Sequence, residues 1–223
     1  MIDFMDNQSE ITLQRIEENP SIHSSNIATR IANELQEYNS RRSSEINESI
    51  HHKMQLLDEN YNMEQGMELA VGNSAPDFSL PADSGENLSL SGFFGKKNVV
   101  LYFYPKDGTP ICTMEAKGFR DKIDDFSSLD TVIIGVSKDS VERHANFKAK
   151  YSLPFYLVSD ENGEMLEKYG VWVEKSMFFK KYMGIERTTF LIDKQGKIMK
   201  IWKNVKISGH VDEVLEEIKK NID

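Results

Sequence analysis

The sequence predicts an α/β fold with a mixed central sheet flanked by helices, preceded by an acidic extension. From Gly72 onward, runs of β-branched and aromatic residues alternate with segments whose apolar residues recur every three or four positions. Composition also changes near residue 66, because the first 65 residues contain no glycine and only one proline, Pro20. We therefore predict an extension over residues 1–66 and an α/β domain over residues 67–223.

Five runs in the α/β domain are predicted to be strands. Val99–Tyr104 is almost continuous in β-branched and aromatic residues, as expected for a central strand covered on both faces. The other four are Thr131–Val136, Phe155–Val158, Thr188–Ile192 and Lys197–Trp202. The polar turn Asp193–Gly196 joins the last two into a hairpin.

Four segments between and after these strands show helical periodicity. They are Pro110–Phe126, Ser140–Tyr151, Gly163–Tyr169 and Val211–Ile222. Strands that alternate with helices and end in a hairpin and a final helix are typical of a sheet with helices packed on it.

Charge and composition exclude several classes of function. The formal net charge is −9, and residues 1–70 hold 13 acidic against five basic residues, so nucleic acid is not an expected partner. The longest apolar run, Val99–Tyr104, is far shorter than the roughly 18 residues of a membrane-spanning helix, so we expect no membrane partner. The N-terminus MIDFMDNQSE carries acids where a secretory leader carries bases, which favours a cytoplasmic location.

The extension is predicted to be helical, with one narrow apolar stripe per helix. Apolar residues recur at Ile27, Ile31 and Leu35, and again at Ile46, Ile50, Met54, Leu57 and Tyr61. The polar cluster Asn39–Ser44 is predicted to separate the two helices. Stripes this narrow bury too little surface to offset chain entropy. The extension is therefore either a marginal, partly disordered appendage or a helical hairpin that docks on a partner or a second copy.

The single cysteine, Cys112, lies at the predicted start of the first long helix. Thr109 is a good N-cap, whose hydroxyl oxygen would accept from a backbone N–H, and Pro110 suits the first helical position. Cys112 is then third in the helix, where the macrodipole and unpaired N–H groups favour the thiolate. A buried cysteine that acts only as a small apolar residue fits the same position. With one cysteine there is no intrachain disulfide and no zinc site of paired thiolates, and we expect neither a metal nor a cofactor.

The motif Pro105-x3-Thr109-x2-Cys112 resembles the signature of the peroxiredoxins. The string YFYPKDGTPICTMEAKGFRD over residues 102–121 is most similar to the bacterioferritin comigratory protein, or peroxiredoxin Q, branch. APDFSL over residues 75–80 and KKYMGIERTTFLIDKQGKI over residues 180–198 fit the same branch, and Arg187 in the latter matches the family arginine. The resemblance covers residues from about 70 to the C-terminus and implies a thioredoxin-like α/β sandwich.

The resemblance implies a thiol-dependent peroxidase that reduces hydrogen peroxide and organic hydroperoxides. Cys112 would attack the peroxide, and Arg187 would stabilise both the thiolate and the peroxide oxygens. Thr109 would hydrogen-bond the sulfur or the peroxide, and Pro105 would shield the thiolate from water. Glu115, one turn further, is either part of the site or only a carboxylate on the helix face. The alternative function is a binding or scaffold protein of the same fold that acts through its extension.

One departure from the branch concerns the recycling of the cysteine. Many members carry a second, resolving cysteine five residues after the first, and here that residue is Lys117. An oxidised Cys112 would therefore need an external thiol, for which thioredoxin, glutaredoxin and glutathione are the candidates. We expect a monomer or a weak dimer.

The remaining candidates are weaker. His51 and His52 are predicted to be solvated, and His144 and His210 are isolated in the sequence. An aromatic and methionine-rich stretch either lines a hydroperoxide pocket or only packs; it comprises Trp172, Phe178, Phe179, Tyr182 and Met183.

Overall fold

The computed structural model describes residues 33–50, 53, 68–177 and 180–221. The chain separates into two compact units, Met1–Met54 and Gln55–Asp223, each of which is described by itself. The predicted division between residues 66 and 67 lies outside the described residues and stays a prediction. No helix among the described residues is long and apolar enough to cross a bilayer.

In the first unit, residues 33–50 form one continuous helix, α1. The predicted break at Asn39–Ser44 is therefore wrong. Arginine is a good helix former and serine only a mild breaker, and the cluster contains no glycine or proline. Contacts across one turn also support the helix, since Arg41 lies 3.9 Å from Glu37 and the Arg42 guanidinium donates to the Tyr38 hydroxyl at 3.4 Å. Of the two predicted apolar stripes, Leu35, Ile46 and Ile50 lie on α1 and are exposed. The other members lie outside the described residues: Ile27, Ile31, Met54, Leu57 and Tyr61.

The second unit is built on a five-stranded sheet. Its strands in chain order, with those of two small ribbons, are β1 Ser79–Pro81, β2 Asn87–Ser89, β3 Asn98–Phe103, β4 Thr131–Ser137, β5 Tyr156–Ser159, β6 Trp172–Met177, β7 Lys180–Ile185, β8 Thr188–Ile192 and β9 Ile198–Trp202. The helices are α2 Pro110–Asp121, α3 Ile123–Ser128, α4 Val141–Tyr151, α5 Glu164–Lys168 and α6 His210–Lys220. All five predicted strands and the predicted hairpin are confirmed within one or two residues.

The large sheet has the order β5-β4-β3-β8-β9, with β3, β4 and β5 parallel and β8 antiparallel to both of its neighbours. Successive residues of β3 face opposite sides of this sheet. Leu101 and Phe103 join the core on one face, whereas Val100 and Tyr102 join the core on the other, which also holds Cys112. The predicted mixed sheet with helices packed on it is confirmed.

One predicted helix differs from the structure, and two small ribbons are not predicted from the sequence. The first long helix ends at Asp121 instead of Phe126, because Lys122 leaves helical geometry at φ −114° and ψ 12°. The change of direction allows Phe126 on α3 to pack against Phe119, with ring centroids 5.9 Å apart. The sequence does not predict the antiparallel ribbons β1–β2 and β6–β7, because their mostly exposed or half-buried residues lack the apolar run that marks a covered strand.

Candidate active site

The helix that carries Cys112 begins as the sequence predicts. Thr109 is the N-cap with an extended backbone, at φ −70° and ψ 150°, and Pro110 follows in the first turn. The first backbone hydrogen bond of the helix runs from the Thr113 N–H to the Thr109 carbonyl at 2.9 Å. Cys112 is third in the helix and 2% exposed. Its sulfur therefore lies in the apolar core beside the end of the helix that carries partial positive charge.

The Thr109 side chain does not cap the helix as predicted. Its hydroxyl donates to the Lys106 carbonyl at 3.1 Å instead of accepting from a helix N–H. Gly108, at φ +72°, turns the loop back on itself and brings that carbonyl within reach. The hydroxyl oxygen keeps its capacity to accept a hydrogen bond.

Arg187 reaches Cys112 across 75 residues of sequence. One terminal guanidinium nitrogen, Nη2, donates to the Cys112 Sγ at 3.2 Å. Sheet register explains this proximity, because Arg187 precedes β8, and Thr188 in β8 pairs with Phe103 at the end of β3. The chain leaves that end of β3 directly into the loop before Cys112. The predicted pair of Cys112 and Arg187 is thus brought together by the antiparallel pairing of β3 and β8.

Glu115 completes a buried cluster with these two residues. Its Oε2 accepts from the other terminal guanidinium nitrogen of Arg187, Nη1, and the side chains of Glu115 and Arg187 are 1% and 11% exposed. Burial raises the pKa of Glu115 to about 7, although the charge of Arg187 acts in the opposite direction. Its second oxygen, Oε1, is buried and has no hydrogen-bond partner within the described part of the chain. The sequence left Glu115 undecided, and the structure places it in the site.

A second buried cluster holds the loop that leads to Cys112. Asp107 accepts from the Tyr104 hydroxyl at 2.6 Å, and its other oxygen lies 2.8 Å from Nδ1 of His144. Its backbone N–H donates to Asp139 at 2.7 Å. The Nε2 of His144 lies 3.2 Å from the Val158 carbonyl. Sequence reasoning missed this cluster because His144 and Asp107 are 37 residues apart and neither belongs to the motif.

The other candidates occupy varied positions. Pro105 is exposed at the start of the loop, so its shielding of the thiolate stays a prediction. Tyr182 and Met183 lie half exposed on β7. His210, isolated in the sequence, is buried against Thr189, 2.8 Å from its hydroxyl, and burial lowers the pKa of His210 to about 4. His51, His52, Phe178 and Phe179 lie outside the described residues.

Comparison with known proteins gives consistent results. Residues 71–201 match the AhpC/TSA family. The chain is 56% identical over 149 residues to a putative peroxiredoxin bcp of Coxiella burnetii, covering 67% of this chain and 98% of that protein. It is 52% identical over 153 residues to peroxiredoxin Bcp of Bacillus subtilis, covering 69% of this chain and 97% of that protein.

Solved structures agree with these relatives. Peroxiredoxin Q of Xanthomonas campestris superposes with a TM-score of 0.62 at 39% identity, over 65% of this chain and 90% of that one. A cysteine-to-serine mutant of PrxQ from Xylella fastidiosa gives 0.66 at 34% identity, over 70% and 99%. A third structure concerns the alkyl peroxide reduction activity of the Xanthomonas campestris bacterioferritin comigratory protein, with a TM-score of 0.62 at 38% identity, over 64% and 90%. The chain therefore belongs to the AhpC/TSA family and is a peroxiredoxin, a thiol-dependent peroxidase.

Proposed function

We propose that this peroxidase uses a one-cysteine mechanism. Cys112 supplies the attacking sulfur, and Arg187 is the principal partner of that sulfur. The observation that carries the proposal is the 3.2 Å contact between Nη2 of Arg187 and Sγ of Cys112. A permanent guanidinium charge beside a buried sulfur favours the thiolate over the thiol. The position of the sulfur in the first helical turn favours the same state.

The reaction at this site is a displacement at oxygen. The Cys112 thiolate gives an electron pair to the terminal peroxide oxygen, the S–O bond forms, and the O–O bond breaks. Sulfur is oxidised to the sulfenic acid, and the peroxide is reduced to an alcohol or water. Negative charge grows on the departing oxygen, and Arg187 is placed to stabilise it. The backbone N–H of Cys112 supplies a further hydrogen bond, and the Thr109 hydroxyl, whose proton goes to the Lys106 carbonyl, accepts one from the O–H of the hydroperoxide. The proposed role of Pro105 is to shield the sulfur from water.

Recycling of Cys112 depends on a thiol from another molecule. Cys112 is the only cysteine of the chain, and Lys117 stands where many relatives have a resolving cysteine. The substrates are hydrogen peroxide and organic hydroperoxides, and the reductant is thioredoxin, glutaredoxin or glutathione. The cytoplasmic location and the monomeric or weakly dimeric state also stay predictions.

Stopped-flow measurement of peroxide consumption by the pre-reduced protein tests the proposal. Wild type should consume peroxide rapidly, whereas Cys112→Ser, which keeps the size of the side chain, should not react above the buffer rate. Trapping with dimedone followed by mass spectrometry should place one sulfenic acid on Cys112. Equal rates for wild type and Cys112→Ser would overturn the proposed role of this cysteine.

A further inference from the structure

The one-cysteine reaction requires a proton to move, and the proposed mechanism leaves its carrier unassigned. The thiol must lose a proton before attack, and the departing alkoxide or hydroxide must gain one. If the thiol proton were released to solvent, an extra negative charge would remain in a site whose sulfur is almost completely buried. A carrier inside the site would supply the leaving oxygen directly.

Glu115 is placed to be that carrier. Cys112 and Glu115 are three residues apart on α2, which puts them on the same face of the helix. Both contact the same guanidinium, Sγ on Nη2 and Oε2 on Nη1 of Arg187. The two terminal nitrogens are neighbours on one planar group, so the sulfur and the carboxylate lie side by side along one edge of it. The second carboxylate oxygen, Oε1, is buried and unpartnered among the described residues, and is therefore available to hold a proton.

Charge balance in the buried site points the same way. With Arg187 as its cation, the site is neutral only when Cys112 and Glu115 together carry one negative charge. Two anions beside one guanidinium would leave an uncompensated buried charge, which is costly. The two acids therefore share one proton, as thiol with carboxylate or as thiolate with carboxylic acid. The pKa of about 7 to which burial raises Glu115 is matched to such an exchange near neutral pH.

Other groups near the site are less suitable. Burial raises the pKa of Tyr102 well above its usual value, so it holds its proton. Burial lowers the pKa of His210 to about 4, so it is neutral, and its Nε2 is engaged by Thr189. Within the described residues, Arg187 and Tyr102 interact electrostatically with Glu115, Cys112 contacts the same guanidinium, and His210 interacts with Arg187.

We propose that Glu115 carries the proton of the peroxidase reaction, taking it from the Cys112 thiol and giving it to the oxygen that leaves. In the first step the thiol and the carboxylate become a thiolate and a carboxylic acid. In the second step the thiolate forms the S–O bond, the O–O bond breaks, and the leaving oxygen takes the proton from Glu115. Glu115 is left as a carboxylate paired with Arg187, so the site is neutral at each stage. This inference rests on the proposed function of Cys112.

Two peroxides with different leaving groups distinguish proton donation from a structural role. tert-Butyl hydroperoxide releases a strongly basic alkoxide that needs a proton, whereas peracetic acid releases acetate, which does not. At mildly acidic pH, Glu115→Gln should reduce the rate with tert-butyl hydroperoxide about 100-fold and the rate with peracetic acid less than about 3-fold. Glu213→Gln, the same change at an exposed residue of α6, should alter neither rate. An equal loss with both peroxides, or no loss with either, would overturn the role of Glu115.

The pH profile and an infrared measurement complete the test. In the reactive form of wild type, Cys112 and Glu115 share one proton, so the rate with tert-butyl hydroperoxide should fall both below and above an optimum pH. In Glu115→Gln, the decline of this rate at high pH should be absent. In wild type, adding peroxide should remove a carboxylic acid carbonyl band from the infrared difference spectrum, which needs no variant. An unchanged band would count against the proposal. If wild type consumes neither peroxide faster than Cys112→Ser, the proposed function itself fails.

Discussion

Two buried charged clusters flank the loop at residues 105–109, and they differ in how completely their polar atoms are paired. Around Asp107, both carboxylate oxygens and both ring nitrogens of His144 have partners. Around Arg187, the Glu115 Oε1 has no partner within the described residues, and the sulfur of Cys112 has one charged donor. Fully paired buried networks rigidify a fold, whereas an unpaired buried group retains capacity for chemistry. We therefore expect the Asp107 cluster to hold the loop and the Arg187 cluster to take part in the reaction.

The largest effect is expected at Arg187. Arg187→Ala should lower the second-order rate constant with hydrogen peroxide about 100- to 1,000-fold, because it removes the charge that we propose stabilises the thiolate and the leaving oxygen. The free energy of unfolding in urea should change much less, since Glu115 can take up a proton when its partner is lost. Arg187→Lys, which keeps the charge without the two-pronged geometry, should recover only part of the rate. A loss of stability as large as the loss of rate would mean that this cluster is structural.

The opposite pattern is expected at His144. His144→Ala should lower the free energy of unfolding by about 3 kcal/mol, because it opens a cavity in the core and leaves one of the two Asp107 carboxylate oxygens buried without its hydrogen-bond partner. The peroxide rate of the folded fraction should stay within about 3-fold of wild type. Asn146→Ala, at an exposed position of the same helix α4, is the matched control. Loss of rate without loss of stability would remove the distinction between the two clusters.

A smaller, pH-dependent effect is expected at His210. Its folded-state pKa of about 4 lies below the unfolded value of 6.5, because burial disfavours the charged ring. The contribution of the neutral His210 ring to the free energy of unfolding is therefore complete above pH 6.5 and is lost as the pH falls towards 4. Urea unfolding of His210→Gln should show a shallower decline over this range than wild type. An identical pH dependence in the two proteins would contradict the burial of a neutral histidine.

The smallest effect is expected from removal of residues 1–66. Both clusters lie beyond residue 100, and the side chains of α1 are exposed throughout the described helix. The truncated protein should keep its peroxide rate and melting temperature nearly unchanged. Rapid tryptic cutting at Arg41, Arg42 or Lys53 in the full chain should leave a resistant fragment. A lower melting temperature and an elution volume shifted beyond the lost mass would instead indicate that the extension packs on the domain or on a second copy.

Local features of the site were predictable from sequence, and long-range ones were not. Cys112 could be placed in the first helical turn because Thr109 and Pro110 mark a helix start within three residues. Arg187 was found only through family resemblance, since β3–β8 pairing, which no local pattern encodes, brings it to the sulfur. Glu115 pairs with Arg187 and therefore depends on the same long-range contact. His144 pairs with Asp107 only because the fold places α4 beside the loop.

The same division holds for the fold. Covered strands such as Val99–Tyr104 can be predicted from their continuous apolar runs. The ribbon β6–β7 is instead stabilised by cross-strand pairing, which its composition does not indicate. The predicted break at Asn39–Ser44 failed because a polar cluster without glycine or proline is compatible with a helix.

The stoichiometry of peroxide consumption without added thiol tests the central claim most directly. Pre-reduced protein, freed of small thiols, should consume one equivalent of hydrogen peroxide per chain and then stop, because Cys112 is its only cysteine. Consumption should resume when glutathione, glutaredoxin or thioredoxin with its reducing system is added, and no disulfide should form within the chain. Continued turnover in the absence of any thiol would contradict the one-cysteine mechanism.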